Sequence, residues 1–263
     1  MPIEMTQADI EAAAAVAAQH CREVCRDYHM TRPYFVASGV RMGPSRDGKI
    51  MRPLLQRLAP AGARVLIAGA ADAGLASFVW ESLADRQPAI TVIDQCETPL
   101  ILTQRYAAGR AVEIATRPVD ILRLDDMERY DLIVAHLVFS FIEPDHRPGA
   151  LARLSRALAP GGSLVVAAPQ SRASAEGRSS RNKLDEVLQG LEAHGFSLPA
   201  KSEDLIAAMQ RELGSSPAPA ATLASLEPLF ASAGLALDET VDAVSEGTEG
   251  RVRRRVYLVL RRA

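Results

Sequence analysis

The sequence contains no run of about 18 apolar residues, the minimum for a helix across a membrane, so a membrane partner is not expected. The opening residues MPIEMTQADIEAAAAVAAQH lack the basic stretch of an export signal and carry Glu4 and Asp9 instead. A charge surplus is also missing. Thirty Lys and Arg stand against 32 Asp and Glu, for a formal charge of -2, which argues against a nucleic-acid partner. Cysteine is scarce, at three residues with no framework spacing. An odd, unpatterned set of thiols excludes a disulfide-stapled scaffold and fits a cytoplasmic protein. No internal repeat is visible, and no elbow-type nucleophile pattern supports a hydrolase.

What is present is an ordinary apolar complement, 48% of 263 residues, enough for a substantial core. Ile10, Ala14, Ala17, Cys21, Val24 and Tyr28 recur every three or four residues, predicting one amphipathic helix over residues 8–28. His20, Cys21, Cys25 and His29 lie on that segment at spacings that invite a metal reading. A thiol-rich structural face is the expectation, with no metal site. The next stretch, MTRPYFVASGVRMGPSRDGK, is rich in turn residues and expected to be irregular. Its Arg32, Tyr34 and Phe35 are more than a solvated linker needs.

From residue 64 the rhythm changes to short apolar runs alternating with helical patterns. Runs occur at Arg64–Ala68, Ile90–Asp94, Val112–Thr116, Leu132–Ala135 and Ser163–Ala168. Helices are expected at 75–83, 99–108 and 147–158, the last ending before Pro160-Gly161-Gly162. Glu143 and Asp145, with His146 in EPDH, are expected to begin that last helix, where negative charge is favourable, rather than to bind a metal. Residues 169–181 read as a loop. Helical patterns follow around Leu184–Leu191 and Leu205–Leu213, then SSPAPA as a linker, and a helix near 221–233. Leu235–Val241 and Arg254–Leu260 close the chain as an antiparallel pair, joined by a loop with Gly247 and Gly250. Arg251, Arg253, Arg254 and Arg255 are expected to protect a sheet edge. The fold class is thus α/β: a Rossmann-like, mostly parallel sheet of seven strands with helices on both faces and an antiparallel last strand. An N-terminal helical segment, residues 1–60, precedes the α/β domain at 61–263, which includes a helical insert at about 170–220.

Ligands of such sheets bind at the carboxyl ends of the strands. There the first run ends in a small-residue turn, Gly69-Ala70-Ala71-Asp72-Ala73-Gly74, whose amides can approach a ligand closely. The second run ends in Asp94, a carboxylate able to accept both hydroxyls of a ribose. The alanines in the loop remove glycines that a dinucleotide fingerprint requires, which weighs against a nicotinamide dehydrogenase.

Residues 64–168 resemble the class I S-adenosylmethionine-dependent methyltransferases. The resemblance lies in RVLIAGAADAG, ITVID, RYDLIVAHLVFSFI and LSRALAPGGSLVVAA, the Pro-Gly-Gly turn being its strongest element. It implies S-adenosyl-L-methionine as cofactor, with Gly69, Ala70, Asp72 and Gly74 bordering its methionine part. Asp94 would take the ribose hydroxyls, Gln95 and Cys96 the adenosine, and Asp120 and Ile121 the adenine. His136, after the fourth strand, would face the sulfonium and the acceptor. The chain departs from the family at Ile67, where an acidic residue is usual, and at Ala71 and Ala73. Asp72 is read either as a counter-charge for the cofactor's ammonium or as a helix cap. His136 is the candidate base, its imidazole titrating near neutrality, or else a loop-orienting residue. Tyr34 and Arg32 are candidates to close over the cofactor and touch substrate. The expected function is methyl transfer to a small-molecule oxygen, nitrogen or carbon acceptor. The alternative is a non-catalytic cofactor-binding regulatory or assembly protein. Assembly as a homodimer is left open.

Overall fold

The computed structural model describes residues 6–41, 43–170, 180–214, 219–246 and 252–263. The sheet has seven strands: β1 (Arg64–Ala68), β2 (Ala89–Asp94), β3 (Ile114–Pro118), β4 (Tyr130–His136), β5 (Leu158–Pro169), β6 (Leu235–Glu246) and β7 (Val252–Arg262). Their spatial order is β3-β2-β1-β4-β5-β7-β6. The first five pair in parallel, while β7 is antiparallel to both its neighbours. Strand order reverses between β1 and β4, which places a crevice at their carboxyl ends. The β-branched and leucine runs of β1, β4 and β5 are buried on both faces, as a covered parallel sheet demands.

Helices cover the two faces: α3 (Gly48–Leu58), α4 (Gly74–Leu83) and α5 (Glu97–Arg110) on one, α6 (Arg147–Ala157) and α9 (Leu223–Phe230) on the other. A short 3-10 turn, Pro144–His146, leads into α6 and carries Asp145 at the expected place. The Pro-Gly-Gly turn belongs to the extended strand β5. Gly161 has φ +76°, and a Cβ on Gly162 would lie 2.9 Å from the Tyr130 carbonyl oxygen, so the strands can close up only around glycine.

The expected single helix over 8–28 is two: α1 (Gln7–His20) and α2 (Glu23–Ala37). Cys21 and Arg22 adopt extended backbone between them, at ψ 140° and 159°. The break resets the helical phase, so Val24, expected on the buried stripe, is 91% exposed. Helix α2 also absorbs residues 30–37, which read as irregular because of Pro33 and the turn residues beyond it. The N-terminal segment divides before residue 60: Met51, Leu54 and Leu55 of α3 are buried with the sheet core. Helices α1 and α2 instead share an apolar cluster with α7 (Ser180–Ala193) and α8 (Glu203–Gly214). Leu184, Val187, Leu205 and Met209 meet Ile10, Tyr34 and Phe35 there, so segments some 150 residues apart form one helical cap. Of the loop expected at 169–181, Pro169 ends β5 and Ser180 begins α7; residues 171–179, like the Gly247 and Gly250 connection, lie outside the described residues.

Candidate active site

The first strand ends in a turn that only glycine can begin. Gly69 has φ +81°, and a Cβ there would stand 2.3 Å from Val138 Cγ2 on the turn after β4. Its N–H donates to the Ile93 carbonyl at 2.9 Å, tying the β1 turn to β2. The next amide, Ala70 N–H, donates to Asp94 Oδ2 at 2.9 Å, and Cys96 N–H donates to Asp94 Oδ1 at 2.7 Å. Burial pushes the Asp94 carboxyl up from its ordinary range, and the two amides pull the other way. Each oxygen retains a second lone pair, so the carboxylate can accept ribose hydroxyls without releasing either amide. The donor set and the narrow loop therefore fit a nucleoside.

Asp72 lies one residue before Ala73, the N-cap of α4, which makes no side-chain capping bond. Its Oδ1 accepts from Gly74 N–H at 2.7 Å, at the first turn of α4. Its Oδ2 accepts from Arg32 Nε at 2.8 Å, so the counter-charge is supplied by the protein. Burial alone would raise this carboxyl, but Arg32 and the Gly74 amide hold it below the ordinary carboxylate range. Burial works against the Arg32 cation, and Asp72 more than offsets it, leaving the guanidinium firmly charged. Arg32 is thus tied to the loop after β1.

The cap reaches the crevice at three further points. His29 Nδ1 lies 3.1 Å from the Ala71 carbonyl oxygen, and Arg22 Nη2 donates to the Gln95 carbonyl at 3.3 Å. Tyr28 meets Phe141, on the turn after β4, edge to face at 5.2 Å between ring centres. Tyr34 does not join them: it is 1% exposed within the cap cluster, where burial pushes its hydroxyl up to about 12. Its aromatic ring supplies core packing there, which corrects its expected place over the cofactor.

Of the remaining expected residues, Gln95 is exposed beside Asp94. Cys96 presents its amide to Asp94, but its thiol turns into a cluster with Cys21 and Cys25, not toward an adenosine site. Asp120 caps a short 3-10 turn by accepting from Leu122 N–H at 2.9 Å. Ile121 is packed into the sheet core beside Ile93 and Phe139. That burial corrects its expected place against the adenine ring, leaving only the edge of the turn for that role.

At the other side of the switch point, His136 ends β4. Its Nε2 lies 3.3 Å from the Tyr257 hydroxyl, which donates to Asp47 Oδ2 at 2.9 Å. The same oxygen accepts from Arg255 Nη1 at 2.5 Å. Because Tyr257 gives its one proton to a carboxylate, its oxygen is left to accept from His136 Nε2–H, which makes Nδ1 the unprotonated nitrogen of the neutral ring. Burial, then the Arg255 charge, lowers the His136 pKa to about 4. This corrects the expectation of a group titrating near neutrality: His136 is neutral at pH 7 and weakly basic. Arg255 is corrected too. It is 7% exposed and paired inside the protein, because β6, not β7, forms the sheet edge. Asp47, Tyr257 and Arg255 were missed as site residues. They lie 89 to 121 positions from His136, and alternation along 254–260 was their only signal.

A nucleoside-binding α/β domain with a carboxylate after β2 and a hydrogen-bonded histidine after β4 is what this fold and crevice define. Residues 65–162 match the family model described as a methyltransferase domain. Over those residues the chain thus matches a methyltransferase domain of the class whose cofactor is S-adenosyl-L-methionine. No curated relative matches the sequence. Among solved structures, the chain is similar to one titled for the conversion of a disulfide bond into a thioacetal group during echinomycin biosynthesis. Identity is 22%, the TM-score 0.57, and the match covers 89% of this chain and 92% of that one. A SAM-dependent methyltransferase from Methanosarcina mazei has 15% identity and a TM-score of 0.56, over 80% of this chain and 97% of that one. The mitomycin 7-O-methyltransferase MmcR has 15% identity and a TM-score of 0.52, over 83% of this chain and 53% of that one. At these identities the structural likenesses establish the fold. Among the described residues, no helix is long and apolar enough to cross a membrane.

Proposed function

We propose that the protein transfers a methyl group to a small-molecule acceptor held beneath the helical cap, between the Tyr28–Phe141 pair and His136. The cofactor supplies an already activated methyl group, so the protein's task is alignment and exclusion of water. Asp94 and the amides beyond Gly69 hold the nucleoside, and Arg32 with Asp72 draws the cap onto the loop. The observation that carries the reading is the His136–Tyr257–Asp47 chain, which fixes the orientation of an imidazole at the end of β4. A neutral imidazole there accepts a hydrogen bond from an acceptor O–H or N–H and turns its lone pair toward the methyl. The proton then leaves late, as charge develops on the acceptor atom, which suits a weak base.

The lining favours a small, partly aromatic acceptor. The Tyr28 ring gives the mouth π surface, flanked at 5.9 and 5.5 Å by Arg32 and Arg41, whose charges are paired with Asp72 and Glu212. Incubation with methyl-labelled cofactor and a metabolite extract tests the proposal: label should pass to a low-mass product. Tight cofactor binding with no transfer to any fraction would favour the regulatory reading.

A further inference from the structure

The three cysteines converge although the sequence disperses them. Cys21 ends α1, Cys25 and His29 stand one turn apart on α2, and Cys96 follows β2. One ligand atom from each of the four lies within 4.8 Å of every other. Cys21 Sγ and Cys25 Sγ are 3.5 and 3.7 Å from Cys96 Sγ. Four ligands at zinc's usual bond lengths stand roughly 3.5–3.8 Å apart, so the sulfur separations already approximate the edges of a zinc tetrahedron. We propose that Cys21, Cys25, His29 and Cys96 form a structural zinc centre that braces the cap against the cofactor crevice.

Several features support a metal over a mere thiol-rich face. Although the helix breaks at Cys21 and Arg22, the ligand atoms of Cys21, Cys25, His29 and Cys96 all lie within 4.8 Å of one another. The spacing Cys21-x3-Cys25 also falls within the range that zinc ligand pairs use. His29 Nδ1 is engaged by the Ala71 carbonyl, leaving Nε2 for the metal, the usual way a ligating histidine is oriented. The Thr98 hydroxyl lies 3.1 Å from Cys21 Sγ, a further polar partner for a bound thiolate. Cys21 and Cys96 are each 6% exposed, so the site is shielded from water. Four protein ligands leave no open position, which makes the centre structural. Binding releases the thiol protons to solvent and involves no oxidation. A disulfide would use two of the sulfurs and leave the third and His29 without a role.

The ligands also grip both walls of the nucleoside site. His29 contacts the Ala71 carbonyl in the loop after β1, and the Cys96 amide orients Asp94. Zinc and cofactor should therefore each favour the same cap position and strengthen each other's binding by the same factor, about 5-fold or more.

The test uses the full chain purified without chelator and reconstituted with zinc, then desalted. Elemental analysis should find about one zinc per chain, and cobalt exchanged into the site should show thiolate-to-metal charge transfer of a tetrahedral centre. Cys25→Ser should lose the metal while Cys25→His, which restores a ligand, should keep it. The wild-type measurement stands even if a variant fails to fold. Negligible zinc after reconstitution, with three freely reacting thiols or a Cys21–Cys96 disulfide in the peptide map, overturns the centre. Calorimetry with the demethylated cofactor, before and after chelation, reads the coupling. Unchanged affinity overturns it. Only this second arm rests on the methyltransferase reading; zinc content is measured without cofactor, so the two failures are distinguishable.

Discussion

The two sides of the crevice are built differently. The adenosine side, at β1 and β2, relies on backbone amides, one glycine at positive φ and a single carboxylate, all within residues 69–96. The transfer side, at β4 and β7, is a side-chain network that draws Asp47, His136, Arg255 and Tyr257 from three distant segments. The first kind of site is specified by local sequence and tolerates changes such as Ala71 and Ala73 that keep the turn narrow. The second exists only after the sheet has formed. Its buried ions depend on one another, so it should be the more fragile of the two.

The largest expected effect breaks that fragile side. Asp47→Ala leaves the Arg255 charge buried without its partner and should cost about 3–5 kcal/mol of stability in urea unfolding. A loss below 1 kcal/mol, about the level of an exposed ion pair, would mean that solvent reaches the network. Next, His136→Ala should slow transfer about 100-fold while leaving cofactor affinity nearly unchanged, measured as kcat against calorimetric Kd. An equal loss in both would place His136 at the cofactor rather than the acceptor. On the adenosine side, Asp94→Ala should weaken binding of the demethylated cofactor by about 1–3 kcal/mol. If the fold is intact and affinity does not change, the ribose lies elsewhere. An effect of similar size is expected from Tyr257→Phe, which removes the bonds to Asp47 and from His136 and should cost about 1–3 kcal/mol of stability.

A pH series sharpens the same contrast. The folded His136 pKa, about 4, lies below its unfolded value, so between them the unfolded chain binds more protons. Stability from this group should rise from about pH 4 to pH 6.5, by up to about 1.4 kcal/mol per pH unit, and level off above. The slope should be absent from His136→Gln and should appear in the difference between wild type and that variant. A wild-type rate profile that breaks near pH 6.5 because of His136 would contradict its burial.

How much was legible in the sequence follows the same division. The strands and helices from residue 64 onward stood out because buried parallel strands are short apolar runs punctuated by glycine and proline. Gly69 and Asp94 lie where the small-residue turn and the strand end put them. The cap was not legible in the same way. Its helices satisfy their apolar faces with α7 and α8, a pairing across some 150 residues that no local period records. The break at Cys21 and Arg22 carries neither proline nor glycine to announce it. Cys96 read as part of an adenosine pocket because it follows Asp94 at the strand end, yet its thiol points toward Cys21 and Cys25. Arg255 looked like surface charge because it follows Arg253 and Arg254, although alternation along the strand turns it inward.

Gly69 and Val138 share a gap too small for one extra carbon. The loop after β1 and the segment just past His136 are therefore gauged against each other by a spacing narrower than a methyl group. Widening that spacing with Gly69→Ala would shift the imidazole as well as the loop, and an enzyme altered where it holds the nucleoside would report the damage in its rate of transfer.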